Sequence, residues 1–212
     1  MSARESQVLS AAAQRQSQLV RLFRELVALM VGTVFLAVLA QVSIPLPFTP
    51  VPITGQTLGV LLIGALYGPW RGALCLLAYL GEGASGLPVF AGGTSGTAPF
   101  VGPTGGYLVA FPVAAAIVGL LVRPLHGVLS GWLALPGLLV GTGVIYFIGV
   151  PGLAMSTGME ITTAIAKGML PFIPGDLLKV VVAAAVLPSG TTALRSLGWP
   201  MRGPTDNANG TT

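Results

Sequence analysis

The sequence predicts an all-α integral membrane protein, with six transmembrane helices and a long glycine-rich outer loop between the third and the fourth. Three observations predict it. Of 212 residues, 53% are hydrophobic and only 8% charged, whereas a soluble domain carries about 25% charged residues and so has enough polar surface for a water-facing shell. Mean hydropathy is +0.86. The basic residues, finally, fall on alternate sides of the six apolar segments in a consistent way.

Residues 1–18 ("MSARESQVLSAAAQRQSQ") are polar and are expected in water on the cytoplasmic side. The first span is expected at about 19–42, with Arg21, Arg24 and Glu25 at its start and Arg21–Glu25 spaced as an i, i+4 surface pair. Its apolar run follows four arginines, as in a signal peptide, but "QVSIPLPF" offers no small-x-small cleavage site, so the run is read as a span. "IPLPFTPVPI" then breaks the helix with four prolines in eight residues. The second and third spans, about 54–70 and 71–87, meet at "YGPWRG", where Tyr67 and Trp70 read as interfacial aromatics.

Span four is expected at about 105–122. Span five, at about 127–150, includes 23 uncharged residues from Val128 to Val150. Span six starts near Pro174 and runs to about Leu197. Together these make a membrane domain of 19–200, followed by a tail, 201–212, with nothing apolar to bury after Met201. With six spans, Arg4, Arg15, Arg21, Arg24, Arg71, Arg123, Arg195 and Arg202 share one side, and only Lys167 and Lys179 take the other. The arginine side should be the cytoplasm, with both termini there.

Several function classes drop out. The sequence pI near 9.7 reflects scattered topology signals rather than a phosphate-binding patch, so no nucleic acid partner is expected. One cysteine, Cys75, and one histidine, His126, rule out a disulfide within the chain and a Cys/His metal cluster; Cys75 reads as a small packing residue. No G-x-x-x-x-G-K-[ST] phosphate loop is present, so uphill uptake would need a partner or a coupled ion. "GTSG", Gly93 to Gly96, matches the pattern around an intramembrane protease serine. Ser95 would need a base, and His126 falls at the opposite end of the bundle, roughly 30 Å away. No enzyme is expected, no catalytic residue and no cofactor.

The outer loop, residues 85–106 ("SGLPVFAGGTSGTAPFVGPTGG"), holds seven glycines and three prolines, too many for a regular helix. Its apolar residues Leu87, Val89, Phe90, Phe100 and Val101 favour an ordered lid packed on the bundle over a passive connector. At the head of span six stand Asp176 and Lys179 in "PFIPGDLLKV", one face of one helix. Charges at membrane depth are unfavourable by roughly 2.5–3.5 kcal/mol each on insertion scales. Two readings explain them. In the structural one, Asp176 suits the helix dipole and Lys179 snorkels outward. In the functional one, they form a polar clamp at the mouth of an apolar pocket, for a small, mostly apolar ligand with one compact polar head. Gln56, Glu82 and Tyr107 lie on the same outer side, each equally readable as interfacial.

Four separated stretches, "VSIPLPFTPVPITGQTLGVLL" (42–62), "SGLPVFAGG" (85–93), "GPTGGYLVAF" (102–111) and "PFIPGDLLK" (171–179), closely resemble the BioY family. These are the biotin-binding S components of energy-coupling factor transporters. The resemblance covers roughly residues 28–190 and implies a six-helix bacterial inner-membrane protein that holds biotin near its outer face. It also implies a membrane coupling protein and two ATP-hydrolysing subunits as partners. Carried over by motif, Asp176 and Lys179 meet the polar head of biotin, while Gln56, Gly92 and Tyr107 enclose the ligand. The lid "AGGTSGTAPF" has no Arg or Lys for a ligand carboxylate, which leaves hydroxyls, backbone N–H groups, Lys179 or water. The resemblance also implies small-residue spacing on the first helix for packing on the coupling protein, with Thr33-x-x-x-Ala37 as the best match; packing within the bundle is the alternative. Two further alternatives stay open: the same scaffold for another small vitamin-like acid, and a self-sufficient carrier with Glu82 and Asp176 as proton sites.

Overall fold

The computed structural model describes residues 3–122 and 131–196. His126 and Arg123, Arg202 and the tail 201–212 lie outside them, as do the side chains of Arg4 and Arg195. Among the described residues the chain runs α1 (Ala3–Gln41), β1 (Ser43–Ile44), β2 (Ile53–Thr54), α2 (Gln56–Tyr67), α3 (Pro69–Ala84), α4 (Ala98–Val101), α5 (Gly105–Leu121), α6 (Gly131–Thr157), α7 (Ile161–Gly168) and α8 (Ile173–Ser196). A single 3-10 turn, Ala91–Gly93, lies between α3 and α4.

By length and composition, three stretches are apolar enough to cross a bilayer: Gln14–Gln41, Gly131–Thr157 and Ile173–Leu194. Gln56–Tyr67 and Gly105–Leu121 are shorter apolar helices. At 1.5 Å per residue, the 12 residues of α2 extend about 18 Å, short of a hydrocarbon core of about 30 Å. This shortfall creates the room for a site. At the end where α2, α5 and α8 begin, the space above α2 is filled by the 43–54 hairpin and by the 85–104 segment rather than by more helix.

Each of these caps has a local cause. Prolines 45, 47, 50 and 52 forbid a helix and leave the chain to close on itself, with Ser43 opposite Thr54 and Ile44 opposite Ile53. Gly55 N–H donates to the Val42 carbonyl (3.1 Å) and seals the base of the hairpin. The 85–104 segment packs on the bundle through its apolar side chains, as the ordered-lid reading expects. Phe90, 1% exposed, stacks edge-on against Tyr79 and Phe100 at 5.5 Å. Gly83 on α3 makes this possible, because a Cβ there would overlap the Phe90 ring. Gly96 N–H then donates to the Gly83 carbonyl (2.8 Å), fastening the segment to α3.

α5 packs against α2, α3 and α6, while α8 closes the bundle against α2 and α6. The core is solid at the end remote from the lid, where Leu61, Val118, Leu138, Val180 and Leu187 interlock. Toward the lid it opens into a second group built on Tyr79, Phe90, Tyr107, Phe111 and Phe172.

Several expectations are corrected. α1 continues as one helix back to Ala3, since the alanine-rich start favours helix as much as the apolar run does. Glu25 does not pair along its own helix with Arg21. It takes a bidentate bond from Arg71 on α3, with Nε–Oε2 at 2.8 Å and Nη2–Oε1 at 2.7 Å, a geometry the planar guanidinium fits well. The Tyr67 hydroxyl donates inward to the Ala28 carbonyl (3.0 Å). Thr33 and Ala37 are turned into the bundle, Thr33 being 2% exposed, so this small-residue pair packs internally. Cys75 is fully buried beside Gly32. α6 runs past its expected end through Pro151, and α7 follows Gly158, whose φ of 68° stops α6.

The Gly83→Val substitution should unseat Phe90 and loosen the 85–97 segment. The overpacking is expected to destabilise the fold by about 1–3 kcal/mol, and limited proteolysis should cut within 85–97 faster than in the unmodified protein.

Candidate functional site

Under the hairpin and the lid lies a cavity of about 320 Å³. Its walls are mostly apolar, with Phe90 from the lid, Leu108 and Phe111 from α5, Ile145 from α6 and Phe172 preceding α8. Its polar atoms gather where α2, α6 and α8 meet. Asp176 stands in the first turn of α8, where the helix dipole favours a carboxylate, and Lys179 is one turn on. Lys179 Nζ donates to Asp176 Oδ1 (2.7 Å) and to Thr57 Oγ1 (2.8 Å). Thr57 on α2 donates to the same Oδ1 (3.1 Å), and Tyr146 on α6 donates to Oδ2. Lys179 therefore turns inward instead of snorkelling.

The pair is well sealed, with side-chain exposures of 18% for Lys179 and 7% for Asp176. A buried carboxylate is tolerated only when its charge is paired and its lone pairs are filled, and here three helices supply the donors. The counting leaves something over. Lys179 has three N–H groups and donates two here; one lone pair of Oδ2 also remains beside the Tyr146 bond. The clamp thus keeps one donor and one acceptor unused within the described residues.

Gln56, 4% exposed, lines the same cavity at the start of α2. Its Nε2 donates to the Tyr79 hydroxyl (2.8 Å), which donates to the Val89 carbonyl of the lid (2.8 Å). Tyr107 also lines the cavity and is no aromatic-belt residue. Its hydroxyl donates to the Gly168 carbonyl (2.7 Å) at the end of α7. Gly149 on α6 accepts the flat of that ring, where a Cβ would clash.

The structure thus brings Asp176, Lys179, Gln56 and Tyr107 around one cavity. Gly92 does not join them. It lies in the lid with φ 65°, lining a separate cleft with Gln41 and Pro45. Glu82 is half-buried and Ser95 sits in the lid; neither lines the cavity. Thr57 and Tyr146 were missed from the sequence. Thr57 had a signal, since it follows Gln56 in the same motif; Tyr146 sits in an unbroken apolar run that hides it. Among the described residues no group of His, Cys, Asp and Glu could hold a metal.

The chain is similar to several known proteins. The BioY family model matches residues 9–196. The biotin transporter BioY of Rhodobacter capsulatus is 45% identical over 156 residues, 68% of this chain and 80% of that protein. The biotin transporter BioY of Thermotoga maritima is 39% identical over 163 residues, 77% of this chain and 93% of that protein. A crystal structure of the S-component for biotin from an ECF-type ABC transporter superposes with a TM-score of 0.72 at 28% identity, covering 83% of this chain and 93% of the other.

Removing one member of the clamp should be worse than removing both charges. Lys179→Met leaves a buried carboxylate without its cation, expected to destabilise by about 3–5 kcal/mol. The double variant Asp176→Asn with Lys179→Met should recover much of that loss. Thermal unfolding of the two variants in the same detergent checks the order.

Proposed function

The chain belongs to the BioY family, and we propose that it is the biotin-binding subunit of a membrane vitamin uptake system. Its relatives are named as transporters, not enzymes. The observation that carries the proposal is the cavity itself: apolar walls that suit an aliphatic chain and a thioether ring, with one polar end built on Asp176 and Lys179. Biotin has this division, a compact ureido head on an apolar body. In this reading the remaining Lys179 N–H meets the ureido oxygen, and Asp176 holds that lysine in place and accepts a ureido N–H at Oδ2. Gln56 and Tyr107 line the sides. Gly92 acts only through the backbone of the lid. The carboxylate of the valeryl chain lies toward Thr94 and Thr104 on the lid side of the cavity, whose hydroxyls donate to the Ala91 and Pro99 carbonyls and would have to give up those bonds to meet it.

We further propose six crossings, by α1, α2, α3, α5, α6 and α8, in a bacterial inner membrane, as one membrane domain of 19–200. Residues 1–18 and both termini are cytoplasmic, as the arginine distribution favours, so the lid and the cavity face outward. The chain has no phosphate loop. Energised import on this reading needs a membrane coupling protein and two ATP-hydrolysing subunits.

Equilibrium binding of biotin to the purified, detergent-solubilised chain tests the proposal. Tight binding is expected, weakened more than tenfold, about 1.4 kcal/mol, by Asp176→Asn and by Lys179→Ala. Binding that neither substitution changes would keep biotin but remove the clamp, and no binding by folded protein would overturn the assignment.

A further inference from the structure

The direction of the hydrogen-bond chain beside the cavity fixes something that geometry alone leaves ambiguous. A glutamine amide presents an acceptor on one side and a donor on the other, and the two are close to isosteric. Here the chain decides. The Val89 carbonyl can only accept, so the single Tyr79 proton goes to it (2.8 Å). Tyr79 can then only accept from Gln56, so Gln56 must turn its Nε2 toward Tyr79 (2.8 Å). Its Oε1 is left on the other side of a side chain that is 4% exposed and lines the cavity, and no donor among the described residues reaches it. The reverse orientation would draw the Tyr79 proton to Gln56 and strip the Val89 carbonyl of its donor.

We infer that Tyr79 is a positioning residue that sets Gln56 Oε1 as a hydrogen-bond acceptor for a ligand N–H, and that the seated lid, through the Val89 carbonyl, imposes this setting. The inference rests on the biotin reading above and deepens it. Asp176 already accepts from Lys179, Thr57 and Tyr146, so Gln56 Oε1 is the cavity's less occupied acceptor. A ureido ring offers two N–H groups. One meets the open lone pair of Asp176 and the other meets Gln56. Withdrawal of Val89 from Tyr79 frees the tyrosine proton, and the amide is then free to turn its NH₂ toward the ligand, donor against donor. Lid position and preference for an N–H thereby become one property.

The test uses biotin and its two cyclic carbamate analogues, in which one ureido N–H or the other is a ring oxygen. Binding to the full-length chain is measured for the parent protein, Gln56→Met, Tyr79→Phe, and Tyr79→Phe combined with Gln56→Glu. The parent should prefer biotin over at least one carbamate by about tenfold or more, the size expected when a buried acceptor loses its donor. For one and the same carbamate, the one whose ring oxygen faces Gln56, Tyr79→Phe and Gln56→Met should both reduce that ratio to within about threefold, while the preference over the other carbamate, set by Asp176, stays. Gln56→Glu, whose two oxygens both accept, should restore the preference in the Tyr79→Phe background, which a tyrosine acting only through packing would not allow. A Tyr79→Phe variant that keeps the parent ratio overturns the inference, as does a failure of Gln56→Glu to rescue it. If Gln56→Met does not fold, the Tyr79→Phe ratio and its rescue decide the matter alone. A parent protein that binds biotin without distinguishing the carbamates overturns the inference and leaves the biotin assignment standing. A parent that does not bind biotin overturns both.

Discussion

A carboxylate held in an apolar cavity is the constraint from which the rest of this structure follows. Taking one ion out of water is unfavourable by several kcal/mol even after relaxation, so Asp176 cannot be kept ionised by a neighbour on its own helix alone. It takes Lys179 from α8, Thr57 from α2 and Tyr146 from α6. Those bonds tie three helices together at the polar end of the cavity. Such a network adds little net stability. It fixes position instead, because any sliding of α2 or α6 along α8 would break a buried hydrogen bond.

The apolar remainder of the site is a consequence of short helices. α2 has 12 residues, and the space beyond it would be open if the chain did not fold back over it twice. The hairpin does this with prolines and the lid with aromatic rings, so both covers hold by packing and by few backbone bonds. At about 320 Å³ the cavity is near the small end of the range for small-molecule sites, roughly 300–1,000 Å³. A ligand that fills it must be compact and must place its polar atoms at one end.

Much of this was legible in the sequence, and the parts that were not share a cause. The apolar runs are long, so α2, α3, α5 and α8 lie within a few residues of the expected spans, whereas α1 begins well before its expected start, at Ala3, and α6 runs on to Thr157. Asp176 and Lys179 stood out because charge is rare in such sequence. Partners that lie far apart in the chain were invisible: Glu25 took Arg71 rather than Arg21, and Tyr146 carries no local mark of its link to Asp176. Helix α7, eight residues long, is too short for its apolar pattern to be separated from a connector. The apolar residues of the lid pointed to an ordered cover, but the seat that fixes it, Phe90 against Gly83 on α3, pairs positions whose contact no local pattern marks.

The way the clamp closes also bears on how such a site could let go of a ligand. The clamp is closed on itself: Thr57 takes a bond from Lys179 and gives one to Asp176. A departing ligand therefore leaves no bare buried charge, and neither member of the pair has to be moved or neutralised for release. The apolar walls are divided between the fixed helices α5 and α6 and two covers, and the covers carry fewer backbone hydrogen bonds than the helices they close. The free energy of local opening is lowest where such bonds are few. Displacing Phe90 and the hairpin would expose the apolar body of a ligand to water while the polar clamp stayed intact. The polar floor is thus tied by side-chain bonds among three helices, while the apolar roof rests on packing and few backbone bonds.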